Sequence, residues 1–320
     1  MFNNAINKRV MIQITNNILM IQPVSFRYNE QTAVNNYYQQ VLDNLSDEQT
    51  QEKALLEFNN LVELLKNVGV NVIVIEDTKK PDTPDSIFPN NWVSFHADGT
   101  VGLYPMCAEN RRAERREDIF DTLVDEYGFN IKEIKDFSEF EEHDKYLEGT
   151  GSMVLDREHK ICYAAISIRT DEIAVMQFCE EFGYRPVCFT ANQSVNEERM
   201  AIYHTNVMMC VADRFAVICL DTIDDKDERK HVVETLSETG KEIIEITQAQ
   251  NHRFAGNMLQ VMGDKPYLVM SNSAFSSLNN KQKKTIEKYC PIIYSSLDTI
   301  EACGGGSARC MMAEVFLPKK

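Results

Sequence analysis

Cationic residues are scarce: 33 Lys and Arg stand against 49 Asp and Glu, for a formal charge of −16. A chain so acidic repels nucleic acid and other polyanions over most of its surface, so no nucleic-acid partner is expected. Long apolar runs are missing too, and nothing in the 320 residues reaches the roughly 18 consecutive apolar positions of a membrane span. The opening "MFNNAINKRVMIQITNN" lacks the apolar centre of a signal peptide, which leads to the expectation of a cytoplasmic protein. None of the nine cysteines forms a C-x-x-C pair, and the number is odd. That excludes a zinc knuckle and argues against a disulfide framework. Neither "GTGS" nor "GGGS" is followed by the Lys-Ser/Thr of a phosphate loop. No metal and no cofactor are expected.

What is present is a period. Four amphipathic stretches each stop at a glycine, the residue that tolerates the left-handed conformation closing many helices. They end at Gly69, Gly128, Gly183 and Gly240, in steps of 59, 55 and 57 residues. The first begins with Ser46-x-x-Gln49, a capping-box pattern. The second is read as one helix over 113–128, with the basic cluster "NRRAERRE" on its solvated face. A fifth helix, "SSLNNKQKKTIEKYC", stops before Pro291. After each helix comes a strand, then a loop, then a hairpin; "NWVSFHADGTVGLYP" and "NVMMCVADRFAVICLD" are two of the hairpins. The last unit holds only "ARCMMAEVF", and its missing partner is available near the start as "QITNNILMIQP". One strand from each end of the chain would remove the open edges. The pattern predicts a single α/β domain, 1–320, of five ββαβ units closed around a central pocket.

Polar residues collect at one point of the repeat, the entry to each hairpin. They are Asn90 and Asn91, Glu148, His204 with Asn206, Asn257, and Cys310 after three glycines. In a closed ring these entries converge, which brings thiol, imidazole and carboxylate together. A thiolate is a strong nucleophile, a histidine can protonate a leaving nitrogen and later activate water, and a glutamate can orient the histidine. The set suits attack on a planar carbon bearing nitrogen. The other histidines, His96, His143, His159, His231 and His252, read as structural or exposed, and His204 follows a helix-like "NEERMAIYH".

These residues resemble the guanidino-group-modifying superfamily of arginine deiminases, dimethylarginine hydrolases and amidinotransferases. "PDSIFPNNW" is similar to that superfamily's Asp-Ser-Val-Phe-x-Glu-Asp, "LEGTG" to its Glu-Gly-Gly-Asp, "YHTN" to its His-x-Asp, and "GGGSARCM" to its nucleophile loop. The resemblance runs in order over nearly the whole chain. It implies a five-bladed α/β propeller, the pentein fold, with Cys310 as nucleophile, His204 as general acid/base and Glu148 holding the histidine and the substrate nitrogens. It further implies Asp85, Asn90, Asn91, Asn206 and Asn257 at the substrate, Arg169 on a substrate carboxylate, and Arg112 or its neighbour Arg111 as a second carboxylate contact. The partner is a small amino acid; a homo-oligomer is compatible with the sequence. Where relatives carry aspartates, this chain has Asn91 and Asn206, which points to the citrulline-hydrolase-like branch. The expected reaction is citrulline to ornithine, ammonia and carbon dioxide, with arginine a poor substrate. Arginine deiminase, dimethylarginine hydrolase or amidinotransferase activity stands as the alternative. A non-catalytic propeller, such as the ribosome anti-association factors, is more distant.

Overall fold

The computed structural model describes residues 12–320, so most of the opening segment read above for a signal peptide lies outside it. Among the described residues the strands form six sheets, five of them three-stranded and built alike. In each of the five an antiparallel pair is followed by a helix and a parallel third strand, because a parallel return needs a long crossover. One sheet joins Val93–Phe95, Thr100–Leu103 and Glu133–Asp136. The next joins Met153–Asp156, Ile161–Ala165 and Arg185–Phe189. Met209–Val211, Phe215–Ile218 and Glu242–Glu245 make another. Leu259–Met262, Pro266–Ser271 and Ile292–Ser295 make the fourth of this kind.

The remaining three-stranded sheet is assembled from both ends of the chain. Asn17–Gln22 pairs in parallel with Asn71–Glu76 and antiparallel with Ala313–Glu314, in the register Ile18 to Glu314 and Leu19 to Ala313. The expected pairing of the two termini is therefore present, though the last strand is only two residues long. Cys310 lies in a turn before that strand rather than on it.

Central strands are buried along their whole length, as in Ile161–Ala165 and Phe215–Ile218, while third strands such as Glu133–Asp136 keep an open face. Apolar clusters bridge sheets neighbouring in chain order: Tyr104 and Phe137 pack with Met153 and Cys162, and Tyr163 shares a cluster with Val217 and Leu268. Ile18 packs with Val269, and Leu19 with Phe95, so the sheet built from both termini contributes to two clusters.

Local capping matches the sequence pattern. Ser46 and Gln49 form the capping box, and Gly69, Gly128, Gly183 and Gly240 all have positive φ. Two stretches differ. The helix expected over 113–128 is confined to Asp118–Asp125, with a separate short helix at Glu109–Arg112 before it, because the Glu114 N–H closes a turn on Arg111 O. The helix-like stretch before His204 is a hairpin of Asn192–Val195 and Glu198–Ala201, whose turn places Asn196 and Glu197 at positive φ. Two consecutive positive-φ residues give the turn that suits strand twist.

Candidate active site

Short helical turns lead into the hairpins, and the polar residues sit on them. Asn91 ends the turn Pro89–Asn91, while Glu148 and His204 precede the turns Gly149–Ser152 and Thr205–Met208. Glycine is required where these turns meet. A side chain on Gly151 would place its first carbon 2.4 Å from Asn91 Nδ2 and 2.8 Å from His204 Nδ1. One on Gly306 would strike the Phe88 ring at 2.9 Å. One on Gly304 would meet the same ring at 2.7 Å, and Gly305 has a positive φ against Asn36, so the loop before Cys310 lies flat at the cavity wall.

Asp85, Asn91, Arg111, Arg169, His204 and Cys310 line one cavity, together with Thr32, Asn36, Phe88 and Tyr203. His204 Nε2 is 2.7 Å from Glu148 Oε2, with both side chains buried. Burial opposes ionisation of Glu148, but Arg169, the His204 hydrogen bond and Arg111 outweigh it and hold its pKa well below the usual carboxylate range. Burial also pulls His204 down to about 4, against the opposing influence of Glu148. The resting pair is thus a carboxylate beside a neutral imidazole. Such an imidazole can take a proton, and the carboxylate stabilises the cation that results. At the sulfur, Asn257 Nδ2 lies 3.3 Å and Asn206 Nδ2 3.5 Å from Cys310 Sγ.

Arg111 is the largest departure from the sequence reading. The cluster at 110–117 is not a solvated helix face: Arg111 is buried, donating through Nε and Nη2 to Glu114 at 2.8 and 2.9 Å. Its Nη1 donates to Asn91 Oδ1 at 2.9 Å. Burial pushes the Glu114 carboxyl up to about 7 even with Arg111 against it. Arg112, expected at the substrate, is not among the cavity-lining residues; it is part-exposed and bonds Met106 O and Glu141. Asn90 is buried behind Asn91 and donates to Thr150 Oγ1 at 3.3 Å instead of facing the cavity. Glu148, Asn206 and Asn257 stand behind the lining rather than on it, Glu148 bonded to His204 and the two asparagines to Cys310 Sγ, and the other expected residues line the cavity.

Asp85 accepts at Oδ2 from Asn29 at 2.7 Å and Thr32 at 3.1 Å, whereas its Oδ1 is buried with no partner. Burial raises its pKa against the influence of Arg111. Arg169 Nε donates to Asn35 Oδ1 at 2.8 Å and its Nη2 to Thr32 O at 2.8 Å. Sequence reasoning missed Glu114, Asn29, Thr32, Asn35 and Asn36. The first was hidden in a charge run, and the others lie in a segment outside the repeat. That segment covers the cavity: Gln40 N–H donates to Ala302 O at 2.6 Å and Gln39 Nε2 to Cys303 O at 2.8 Å. Beneath it remains about 10 Å³, room for one water.

Not every thiol is buried. Cys107 and Cys188 are half-buried, and the Cys107 N–H donates to Glu148 Oε1 at 3.0 Å. Among the described residues no group of His, Cys, Asp and Glu is placed to hold a metal ion, and no helix is long and apolar enough to cross a membrane.

Comparison with known proteins gives two results. Residues 22–317 match the family model described as N,N dimethylarginine dimethylhydrolase, eukaryotic. No curated protein sequence matches. Among solved structures, the N-terminal domain of a variant of ArgZ, covalently bound to a reaction intermediate, superposes with a TM-score of 0.69 at 18% identity, covering 94% of this chain and 99% of that one. Apo ArgZ, an arginine dihydrolase from the ornithine-ammonia cycle in cyanobacteria, gives 0.71 at 18% identity, over 95% of this chain and 41% of that chain. A histidine-to-glycine variant of dimethylarginine dimethylaminohydrolase, as its adduct with S-methyl-L-thiocitrulline, gives 0.62 at 14% identity, covering 94% and 99%.

Proposed function

The chain belongs to the N,N-dimethylarginine dimethylhydrolase family of guanidino C–N hydrolases, and from that premise we propose that it hydrolyses a ureido amino acid, citrulline, through a covalent intermediate on Cys310. The orientation of Asn91 carries the reading. A guanidinium can only donate, so the amide must turn Oδ1 toward Arg111 and its NH₂ away. One hydrogen of that NH₂ goes to Asn90 Oδ1 at 3.2 Å, which leaves the other as a donor at the cavity wall. A ureido oxygen accepts it; a guanidinium offers nothing that can.

In the proposed reaction His204 takes the Cys310 proton and the sulfur adds to the ureido carbon. The Asn91 donor receives the charge that develops on oxygen. His204 then protonates the departing nitrogen as the C–N bond breaks, leaving an S-carbamoyl group. Water, deprotonated by His204, attacks that group and frees the thiol. The carbamate released breaks down to ammonia and carbon dioxide, with ornithine as the other product. The five similar sheets are proposed as the blades of a five-bladed propeller around this pocket, in a single domain, which the shared apolar clusters support.

A second reading has its own observation. The unpartnered Asp85 Oδ1 awaits a donor, and the buried acids Asp85, Glu114 and Glu148 outnumber the buried cations Arg111 and Arg169 by one. A cationic guanidinium balances that excess, so arginine is the competing substrate, as in the arginine dihydrolase ArgZ. Measuring kcat/KM for citrulline, arginine and dimethylarginine side by side decides between them. A clear preference for either guanidino compound overturns the citrulline reading.

A further inference from the structure

We infer that Asn257 is a catalytic residue that stabilises the Cys310 thiolate formed when His204 takes its proton, rather than a contact to the substrate. The inference rests on Cys310 being the nucleophile proposed above. Asn257 is fully buried at the entry to the strand Leu259–Met262. Its Oδ1 accepts from the Arg309 N–H at 3.0 Å. A backbone N–H can only donate, so this bond fixes which end of the amide faces the sulfur. The NH₂ then meets two acceptors, Asn206 O at 3.0 Å and Cys310 Sγ at 3.3 Å. Both hydrogens are therefore used within the protein, and none is left to read a substrate.

A sulfur anion needs such a donor. Cys310 is buried, and an anion away from water is costly unless hydrogen bonds face it. The nearest cation on the chain does not help: Arg309 turns its guanidinium to Met312 O and Glu314 Oε2, each at 2.8 Å. His204 Nε2 is engaged with Glu148. Asn206 is a second amide at the sulfur, but its Nδ2 is 3.5 Å and its Oδ1 3.8 Å away, so it can donate to a thiolate or accept from a thiol. Asn257, locked from three sides, can only donate. A hydrogen bond from a fixed donor strengthens when its acceptor becomes charged, which favours the thiolate over the thiol.

The test reads the thiol without any substrate. Asn257→Asp keeps the shape and the bond from Arg309 N–H but replaces the donor at sulfur with an acceptor. Alkylation of Cys310 by iodoacetamide, followed by mass spectrometry across a pH series, is expected to slow about tenfold at pH 7 and to recover in alkaline solution. The turnover number should fall by a similar factor with KM within about twofold. Asn257→Ala, which removes the donor without adding an acceptor, should fall between wild type and Asn257→Asp; it also decides the matter if the aspartate variant does not fold. An unchanged alkylation profile with a raised KM makes Asn257 a substrate contact and overturns the inference. If wild type fails to turn over citrulline while the alkylation result holds, the substrate reading fails and this inference stands.

Discussion

Arg111 Nη1 donates to Asn91 Oδ1 across 2.9 Å, and Glu114 holds the same guanidinium from the other side at 2.8 Å. The pair turns an asparagine, able to present either end of its amide, into a donor of fixed direction. Asn91→Asp replaces that donor by a carboxylate. The variant should lose citrulline hydrolysis by about tenfold or more and gain on arginine, since the carboxylate oxygen not held by Arg111 can accept from a guanidinium but cannot donate to a ureido oxygen. The ratio of kcat/KM for the two substrates is the measurement. A variant that keeps the wild-type ratio removes Asn91 from substrate choice.

Cys310→Ser should fold as wild type and lose nearly all turnover, because a hydroxyl is a far weaker nucleophile at neutral pH. Circular dichroism and a citrulline assay check both halves. Labelling needs care, because Cys107 and Cys188 are half-buried and compete for reagent. Peptide-level analysis with Cys107→Ser and Cys188→Ser as background isolates the site thiol.

His204 makes stability pH-dependent. Burial lowers its folded pKa to about 4 from the ordinary 6.5, so between those values the unfolded chain binds a proton that the folded one refuses. Its contribution is complete above pH 6.5 and declines as pH falls toward 4. Compared with His204→Gln, wild type should therefore lose melting temperature on going from pH 7 to 4.5. Parallel curves for the two proteins would refute the neutral imidazole.

Glu301 behaves with the opposite sign. It accepts from Ser307 Oγ at 2.6 Å in the loop before Cys310, and burial raises its pKa to about 7 from 4.5. The folded state keeps a proton that the unfolded chain has released, so this contribution is full below pH 4.5 and lost as pH rises through 7. Glu301→Gln, neutral throughout, should gain on wild type by up to about 3 kcal/mol between pH 5 and pH 8. Denaturant titrations at the two values measure it.

Deleting residues 1–22 removes the strand Asn17–Gln22 and strips Asn71–Glu76 and Ala313–Glu314 of their shared partner. Activity and melting temperature should both fall sharply, since Ala313 is three residues beyond Cys310. A fully active truncated protein would mean that the terminal pairing does not support the site.

Much of this was legible from local pattern. Gly69, Gly128, Gly183 and Gly240 mark helix ends because a left-handed terminus rejects most side chains wherever it occurs. The hairpins showed as paired apolar runs across a polar or glycine turn, and the entry to each hairpin marked Asn91, Glu148, His204, Asn257 and Cys310. Where a charge run was read by composition, the reading failed. Arg111 and Arg112 are adjacent and chemically identical, and only the packing of Glu114 and Asn91 around the first decides which one turns inward.

The sequence by itself determined the repeat, the helix and strand periods and the pairing of the two ends, and it singled out Cys310 as the expected reactive thiol. Each of these depends on residues close in the chain or on a pattern that recurs along it. Tertiary structure alone decided the direction of each amide, the state of the imidazole and the cover over the cavity. Arg169 meets Asn35 across 134 positions, and Asn257 meets Cys310 across 53. Hydrogen-bond direction and desolvation come from such distant partners, and no local periodicity records them.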